Sequence, residues 1–343
     1  MRFSLTSMGT GRLLNEYFLY GDIGGTKTLL QMAQVRTDGI HELLTKRYDS
    51  TAYASFSDVL GDFLQQTGTE CSPQTACFAV AGPIVAQRTQ LTNLCWQLDS
   101  NDIGATFSIP RVKLVNDFEA AALGIQILPA EDRVTLQFGQ PHAQAMRVIL
   151  GAGTGMGVAW LVPTGERDLA MATEAGHIDF APRNSQEIEL WQVLQQQFGH
   201  VSVERVLSGT GLTQIYNFLQ ARQKTLSGTH SPALKGDSGA TVTTLAQMHQ
   251  HPLAIKSLHL FAEIYGAYAG NLALAGLCRG GVYITGGIAP RILPILNSGG
   301  FMQAFCDKGR FSGLMQEIPV QVITDPQVGL LGAKREAQRL LAN

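Results

Sequence analysis

At 343 residues and 45% hydrophobic content, the chain is too long for one small domain and comfortable for two. Its 25 basic and 27 acidic residues leave a formal net charge of −2, which removes the electrostatic case for nucleic-acid binding. Five scattered cysteines (Cys71, Cys77, Cys95, Cys278, Cys306) form no C-x-x-C pair, so neither a zinc site nor a disulfide framework is expected, and reduced cytosolic thiols are the plain reading.

Residues 1–16 are rich in Ser, Thr and Gly, lack an apolar core of signal-peptide length, and read as a short, poorly ordered extension. Strand-like Tyr17-Phe18-Leu19-Tyr20 then enters the loop Gly21-Asp22-Ile23-Gly24-Gly25-Thr26-Lys27, and strand-like Leu29 to Val35 leaves it. Ser57 to Leu64 has helical spacing, and Cys77 to Ala81 reads as a buried strand ending at Gly82-Pro83. Val112 to Val115 is a short strand that delivers Asn116-Asp117 at its carboxyl end, followed by helix-forming Phe118 to Leu123. A second glycine loop, Gly151-Ala152-Gly153-Thr154-Gly155-Met156-Gly157, lies between the strand-like runs 147–150 and 158–162. Glu187 to Phe198 reads as an amphipathic helix, and polar Arg222 to Ala240 as an exposed loop. A helix from about Leu258 to Cys278 carries Gly266, Ala269, Gly270 and Ala273 for close packing and is expected to stop at Gly280-Gly281. Its most apolar part, Tyr265 to Cys278, is shorter than the ~20 residues of a spanning helix, so a soluble cytoplasmic protein is expected. Val282 to Thr285 is a strand closed by Gly286-Gly287-Ile288. Strands alternate with helices throughout, the pattern of an α/β protein, and each half has the order strand, glycine turn, strand.

The two glycine loops carry the chemistry. Glycines between strands are expected to reach positive φ and to let backbone N–H groups approach an anion closely. No stretch has P-loop spacing, and counting a dinucleotide fingerprint from Gly151 or Gly153 puts Met156 or Val158 where the last glycine belongs. Both loops lead into strands instead of helices. That arrangement resembles the sugar kinase, heat-shock ATPase and actin superfamily, in which hairpins from two lobes grip ATP phosphates. Asp22 is well placed to hold Mg²⁺, which prefers few carboxylates plus phosphate oxygens. Thr26 offers a hydroxyl toward the same oxygens, and Lys27 is either a phosphate ligand or a solvated turn residue.

Asp22-Ile23-Gly24-Gly25-Thr26, Leu114 to Phe118, Gly151 to Gly155, Glu174 to Pro182 and Glu204 to Gly209 together resemble bacterial glucokinase, in that family's order and from about residue 17 to the end. Gly280 to Arg291 is similar to its nucleotide-side segment. The related repressor-and-kinase group carries a cysteine-rich zinc motif after Glu-x-Gly-His. This chain has no cysteine between Cys95 and Cys278, which fits the zinc-free branch. It departs from the family at Thr173 and Ala175, both often Gly, and at Gly82, Cys in some members.

The resemblance implies a two-lobed, ribonuclease-H-like α/β fold of actin/hexokinase type with a cleft between lobes. A small domain over 17–125 would be completed by a helix at 328–343, with a large domain over 126–327. Asn116, Asp117, Glu174, His177 and Glu204 would contact glucose; Asp22, Gly24, Gly25, Thr26, Lys27, Gly153, Thr154 and Gly155 the ATP phosphates; Gly286 and Gly287 the adenosine side. Taken singly, Glu204 also reads as a surface helix residue, His177 as a core histidine, and Asn116-Asp117 as a helix cap. Together they are a sensible hexose set, since a ring of hydroxyls needs fixed carboxylates and amides. Asp117 is the candidate general base for the 6-hydroxyl, with ATP as co-substrate, Mg²⁺ and no zinc. A homodimer is implied, with neither nucleic acid nor membrane as partner.

Two alternatives stand beside glucose phosphorylation. One keeps the fold and changes the acceptor to N-acetylmannosamine, fructose or mannose. The other is a non-catalytic sugar-sensing regulator, against which stand the roughly twenty residues before the first hairpin strand, too few for a helix-turn-helix module.

Overall fold

The computed structural model describes residues 16–68, 71–91, 94–165, 167–227 and 233–342. The expected extension therefore falls almost wholly outside the described residues, and Glu16, its last member, already belongs to the first strand. In chain order the elements begin with β1 (Glu16–Ile23), β2 (Lys27–Arg36), β3 (Gly39–Asp49), α1 (Phe56–Thr67), β4 (Pro73–Val80), β5 (Arg88–Gln90), β6 (Gln97–Asp99), α2 (Ser100–Phe107) and β7 (Arg111–Asn116). They continue with α3 (Asp117–Gly124), β8 (Arg133–Gln137), β9 (Arg147–Ala152), β10 (Met156–Pro163), β11 (Asp168–Thr173), α4 (Ser185–Phe198), α5 (Gly209–Ser227) and α6 (Gly239–Gln247). The last are α7 (Pro252–Ala275), β12 (Gly281–Thr285), α8 (Leu293–Leu296), α9 (Gly300–Cys306), α10 (Ser312–Glu317), β13 (Val320–Ile323) and α11 (Val328–Leu341). No helix of the described residues is long and apolar enough to cross a membrane.

Two compact units result, one of residues 1–116 with 333–343, the other of residues 117–332. In the first, the sheet order among the described residues is β3-β2-β1-β4-β7, with β1–β2–β3 antiparallel and β1, β4 and β7 parallel. Period-2 alternation divides β1 between two faces. Leu19 and Ile23 join Leu30, Phe78, Phe56 and Phe63 in one core, while the next-door positions Phe18 and Tyr20, also fully buried, lie on the other face. Helix α1 is set by a full capping box, Ser55 accepting from Asp58 N and Asp58 accepting from Ser55 N.

The later turns of α11 return to this unit. Thr75 Oγ1 donates to Ala337 O at 2.8 Å, and Glu336, almost fully buried, accepts from Lys113 Nζ at 2.7 Å and from Arg339 at 2.8 and 2.9 Å. Burial pushes the Glu336 carboxyl up, but these hydrogen bonds and charges more than reverse it, to about 2.

In the second unit the sheet order among the described residues is β11-β10-β9-β12-β13-β8. Its first five strands repeat the directions of the other sheet: β9, β10 and β11 antiparallel, then β12 and β13 parallel to β9. Val148, Leu150, Val158, Val282 and Ile284 face the large core built on α5 and α7. Ile149, Ala159 and Leu161 face the opposite way, onto α3 and Val328 of α11. Gly332 and Gly124 allow α3 and α11 to touch backbone to backbone, since a Cβ at either would overlap the other helix.

Three sequence expectations need correction. Arg222 to Ser227 is helical, because α5 runs on to Ser227, with Arg222 over the Phe218 ring at 5.9 Å and paired with Glu189 at 3.3 Å; residues 228–232 of that stretch lie outside the described residues. The small-residue helix starts earlier, at Pro252, and Gly276 caps it before Gly280 is reached. Gly21, Gly24, Gly151, Gly153, Gly155 and Gly157 do not adopt positive φ; of the other glycines the sequence placed at element ends, Gly82, Gly281 and Gly286 do, at 130°, 127° and 85°.

Glu336→Gln should cost about 3 kcal/mol at neutral pH, since it leaves two cations facing a neutral amide. A lowered native pKa contributes stability that is complete above 4.5 and lost as pH falls toward 2. Thermal melts of both proteins should therefore differ at pH 7 and converge only as the pH reaches about 2.

Candidate active site

In the first unit Asp22 sits near the carboxyl end of β1, in register between Leu29 of β2 and Ala79 of β4. By alternation it shares the face of Phe18 and Tyr20. Its neighbour Gly21 faces the core, where a Cβ would stand 2.5 Å from Leu30 Cδ2 and 3.2 Å from Phe78 Cδ1. Gly21 is therefore a packing glycine and not a phosphate ligand. The turn beyond is pinned from below by Ser50, which the sequence reading missed. Gly24 N donates to Lys27 O at 2.9 Å, Ser50 Oγ donates to Gly24 O at 2.8 Å, and Ser50 N donates to Thr26 O at 3.0 Å. Thr26 and Lys27 are exposed. Asp22 is partly buried, and burial alone, with no opposing cation or hydrogen bond, pushes its carboxyl up to about 6. Asn116 ends β7 and donates from Nδ2 to Gly82 O at 3.0 Å.

The second unit gathers the rest of the set around the β9–β10 hairpin. Gly153 N donates to Gly155 O at 2.8 Å, and Gly153 O accepts from Gly209 N at 2.9 Å, which seats the hairpin on the start of α5. A Cβ at Gly153 would meet only open space, so nothing in this unit fills the room in front of that backbone. A Cβ at Gly155 would stand 2.5 Å from Glu204 Oε2, and that same oxygen accepts from Met156 N at 2.9 Å. Glu204 is half-buried in a 3-10 turn, Val203–Arg205, not on a surface helix.

Glu174 and His177 flank a second 3-10 turn, Ala175–His177, with His177 N donating to Glu174 O at 3.0 Å. Their side chains are exposed and 3.8 Å apart, so His177 is no core histidine. Gly176 lies under Met156 O, where any Cβ would overlap the carbonyl. The two 3-10 turns are zipped side by side: Val203 N donates to Ile178 O and Phe180 N to Val201 O, both at 2.9 Å. The ring of Phe118 fills the space a Gly157 Cβ would need, which fixes the start of α3 against β10. Asp117 opens that helix half-buried, its Oδ1 accepting from Phe118 N at 2.9 Å. Gly286 and Gly287 follow β12, and Ile288 N donates to Ala152 O at 3.2 Å beside the hairpin. Gly153, Gly155, Glu174, His177, Glu204 and the 286–287 turn thus surround one hairpin, while Asp22 to Lys27 and Asn116 belong to the other unit.

Two sheets of the same strand order, each opening on a glycine hairpin, define the two-lobed actin/hexokinase-type fold of sugar kinases. The structure of glucokinase from an Antarctic psychrotroph matches with a TM-score of 0.83 at 29% identity, over 94% of this chain and 99% of that one. Glucokinase from Balamuthia mandrillaris in complex with glucose matches with a TM-score of 0.76 at 22% identity, over 94% of each chain, a likeness of fold. The family model described as Glucokinase matches residues 19–340. A protein named glucokinase from Nostoc punctiforme is 41% identical over 341 residues, covering 94% of this chain and 99% of that protein, and one from Yersinia pestis (strain Pestoides F) is 39% identical over 322. The chain belongs to the glucokinase family.

Asp22 generates a test in the ligand-free protein. A carboxyl with a raised native pKa favours the folded state fully below 3.8, and that contribution is lost as pH rises through about 6. Asp22→Asn removes the cost of ionisation and should gain about 1–3 kcal/mol at pH 7.5, and nothing below pH 4. A melting-temperature difference that does not change with pH would contradict this origin.

Proposed function

We propose that the protein transfers the γ-phosphoryl group of ATP to the 6-hydroxyl of glucose, with Asp117 as general base. The observation that carries the reading is the backbone of Met156, which joins a carboxylate of the sugar set to the glycine hairpin of the donor set. Phosphoryl transfer asks the protein mainly for positioning and charge neutralisation, together with a base near the attacking hydroxyl.

Glu174, His177, Glu204 and Asn116 are the proposed glucose ligands, since carboxylates, an imidazole and an amide can satisfy hydroxyls that both donate and accept. Glu204 gives one oxygen to Met156 N, and the glucose hydroxyls are proposed to meet the rest of the carboxylate. Asp117 accepts the 6-hydroxyl proton as that oxygen attacks the γ-phosphorus, and the leaving ADP carries the displaced electron pair. Backbone N–H groups at Gly25, Thr154 and Gly155 and the Thr26 hydroxyl hold phosphate oxygens, with Lys27 as the nearby cation, while Gly24 and Gly153, whose own N–H groups close the turns, let the phosphates approach the backbone. The 286–287 turn takes the adenosine side.

The residues fit a magnesium ion at Asp22, because a partly buried carboxylate that no cation among the described residues offsets is suited to a hard divalent ion. Bound there, Mg²⁺ would neutralise phosphate charge. A cytoplasmic homodimer is proposed on the family resemblance, and light scattering decides its oligomeric state.

Asp117→Asn should lower kcat by about 10²–10⁴-fold with the glucose KM changed far less. A coupled ADP-release assay across glucose, mannose, fructose and N-acetylmannosamine should place glucose first by kcat/KM; another sugar in that place would move the acceptor assignment. Gly155→Ala should fold normally, because the clash falls on a movable carboxylate, yet raise the glucose KM roughly tenfold by pushing Glu204 off Met156.

A further inference from the structure

The hairpin and the sugar turn are each held from behind by one helix. On α7, Tyr265 and Tyr268 are three residues apart and so share a face, about one turn apart. Ala152 N, at the last residue of β9, donates to Tyr265 Oη at 3.1 Å. Tyr268 Oη donates to Ala175 O, beside Glu174, at 2.7 Å. Both phenols are buried, and burial raises both above their ordinary titration range, so each keeps its proton at any working pH.

The helix itself has little freedom. Gly266 and Gly270 bring it against α9, a Cβ at Gly270 falling 2.6 Å from Phe305 O. The Tyr265 ring is set edge-on between Phe261 and Phe301, with centroids 5.9 and 5.8 Å away. The sugar turn is closely packed on its hairpin side, where Gly176 lies against Met156 O, but less so beyond. A cavity of about 40 Å³, lined by Ile178, Phe180, Glu187, Val203, Ile264 and Tyr268, lies under the segment that follows it, room enough for a water. The height of the turn there depends on a polar tether more than on side-chain filling.

We propose that Tyr265 and Tyr268 are positioning residues, the first for the donor hairpin and the second for the glucose turn, spaced by one turn of α7. Neither touches substrate; each fixes the backbone next to residues that do. The roles rest on the donor and sugar reading given above, whereas the tethering itself does not.

Tyr→Phe keeps the ring and removes only the hydroxyl. Tyr268→Phe should raise the glucose KM about 5–10-fold with the ATP KM within about twofold, and Tyr265→Phe should do the converse. Hydrogen exchange, measured without substrate, should quicken over 174–178 in Tyr268→Phe and over 151–157 in Tyr265→Phe, each leaving the other segment as in the wild type. Should Tyr265→Phe not fold, Tyr268→Phe decides alone. Wild-type protein inactive on glucose, beside the crossed exchange pattern, would sink the substrate reading and support the tethers. Any other exchange pattern overturns the proposal. So do KM values that move together, or not at all, in protein active on glucose.

Discussion

The peptide of Met156 is held on both of its polar sides. Its N–H donates to Glu204 Oε2 at 2.9 Å, and its carbonyl lies directly over Gly176. A hydrogen bond to a carboxylate is stronger than one between neutral groups, and a carbonyl resting on glycine tolerates no side chain beneath it. The β9–β10 hairpin, the Glu204 turn and the Glu174–His177 turn consequently meet at one residue, although each has further supports of its own. The glycines at 155 and 176 follow from that, because each vacates space that the joint occupies. Glycine here serves close approach, with no positive φ at either position.

The repeated strand order gives the two units equivalent hairpins with different supports. In the second unit the hairpin rests on Gly209 and on the carboxylate of Glu204. In the first, Ser50 does the corresponding work, its hydroxyl and its N–H each holding one carbonyl of the turn. The same folding instruction, strand–glycine–strand, thus becomes two differently wired hairpins. What differs lies outside the hairpins, in residues that hold the turns by their backbone.

That difference marks the limit of what the sequence disclosed. Apolar, strand-like runs around Tyr17–Val35 and Arg147–Val162 disclosed the hairpins, because short apolar runs and glycine punctuation are local signals. The pairs Asn116-Asp117 and Glu174/His177 were legible by their order along the chain and by the resemblance it carried. Ser50, Tyr265 and Tyr268 were not, since a hydroxyl paired with a carbonyl or an N–H 26, 113 or 93 residues away leaves no periodicity or motif. The end of α5 was missed for a related reason. Arg222 reads as loop by polarity, but it is held by Phe218, four residues earlier, and by Glu189 of α4. The glycine error was of another kind: a turn residue was credited with conformational freedom when the structure needed its missing Cβ.

Two carboxylates of the first unit show how burial separates scaffold from site. Burial pushes Glu336 up, yet Arg339 and Lys113 overcome it and hold the carboxyl near 2. The same unit leaves Asp22 to burial alone, at about 6. A buried charge is disfavoured unless paired, so a fold that can assemble two cations around one carboxylate and supplies none to the other is not maximising its own stability at the second. On the proposed reading the missing charge comes from outside the chain. A metal-bound polyphosphate brings its own cation, and a site that left Asp22 satisfied by lysine would have nothing to offer it. On the proposed reading, the destabilisation of the ligand-free protein by ionised Asp22 and the binding of the donor are the same interaction, counted once without the cation and once with it.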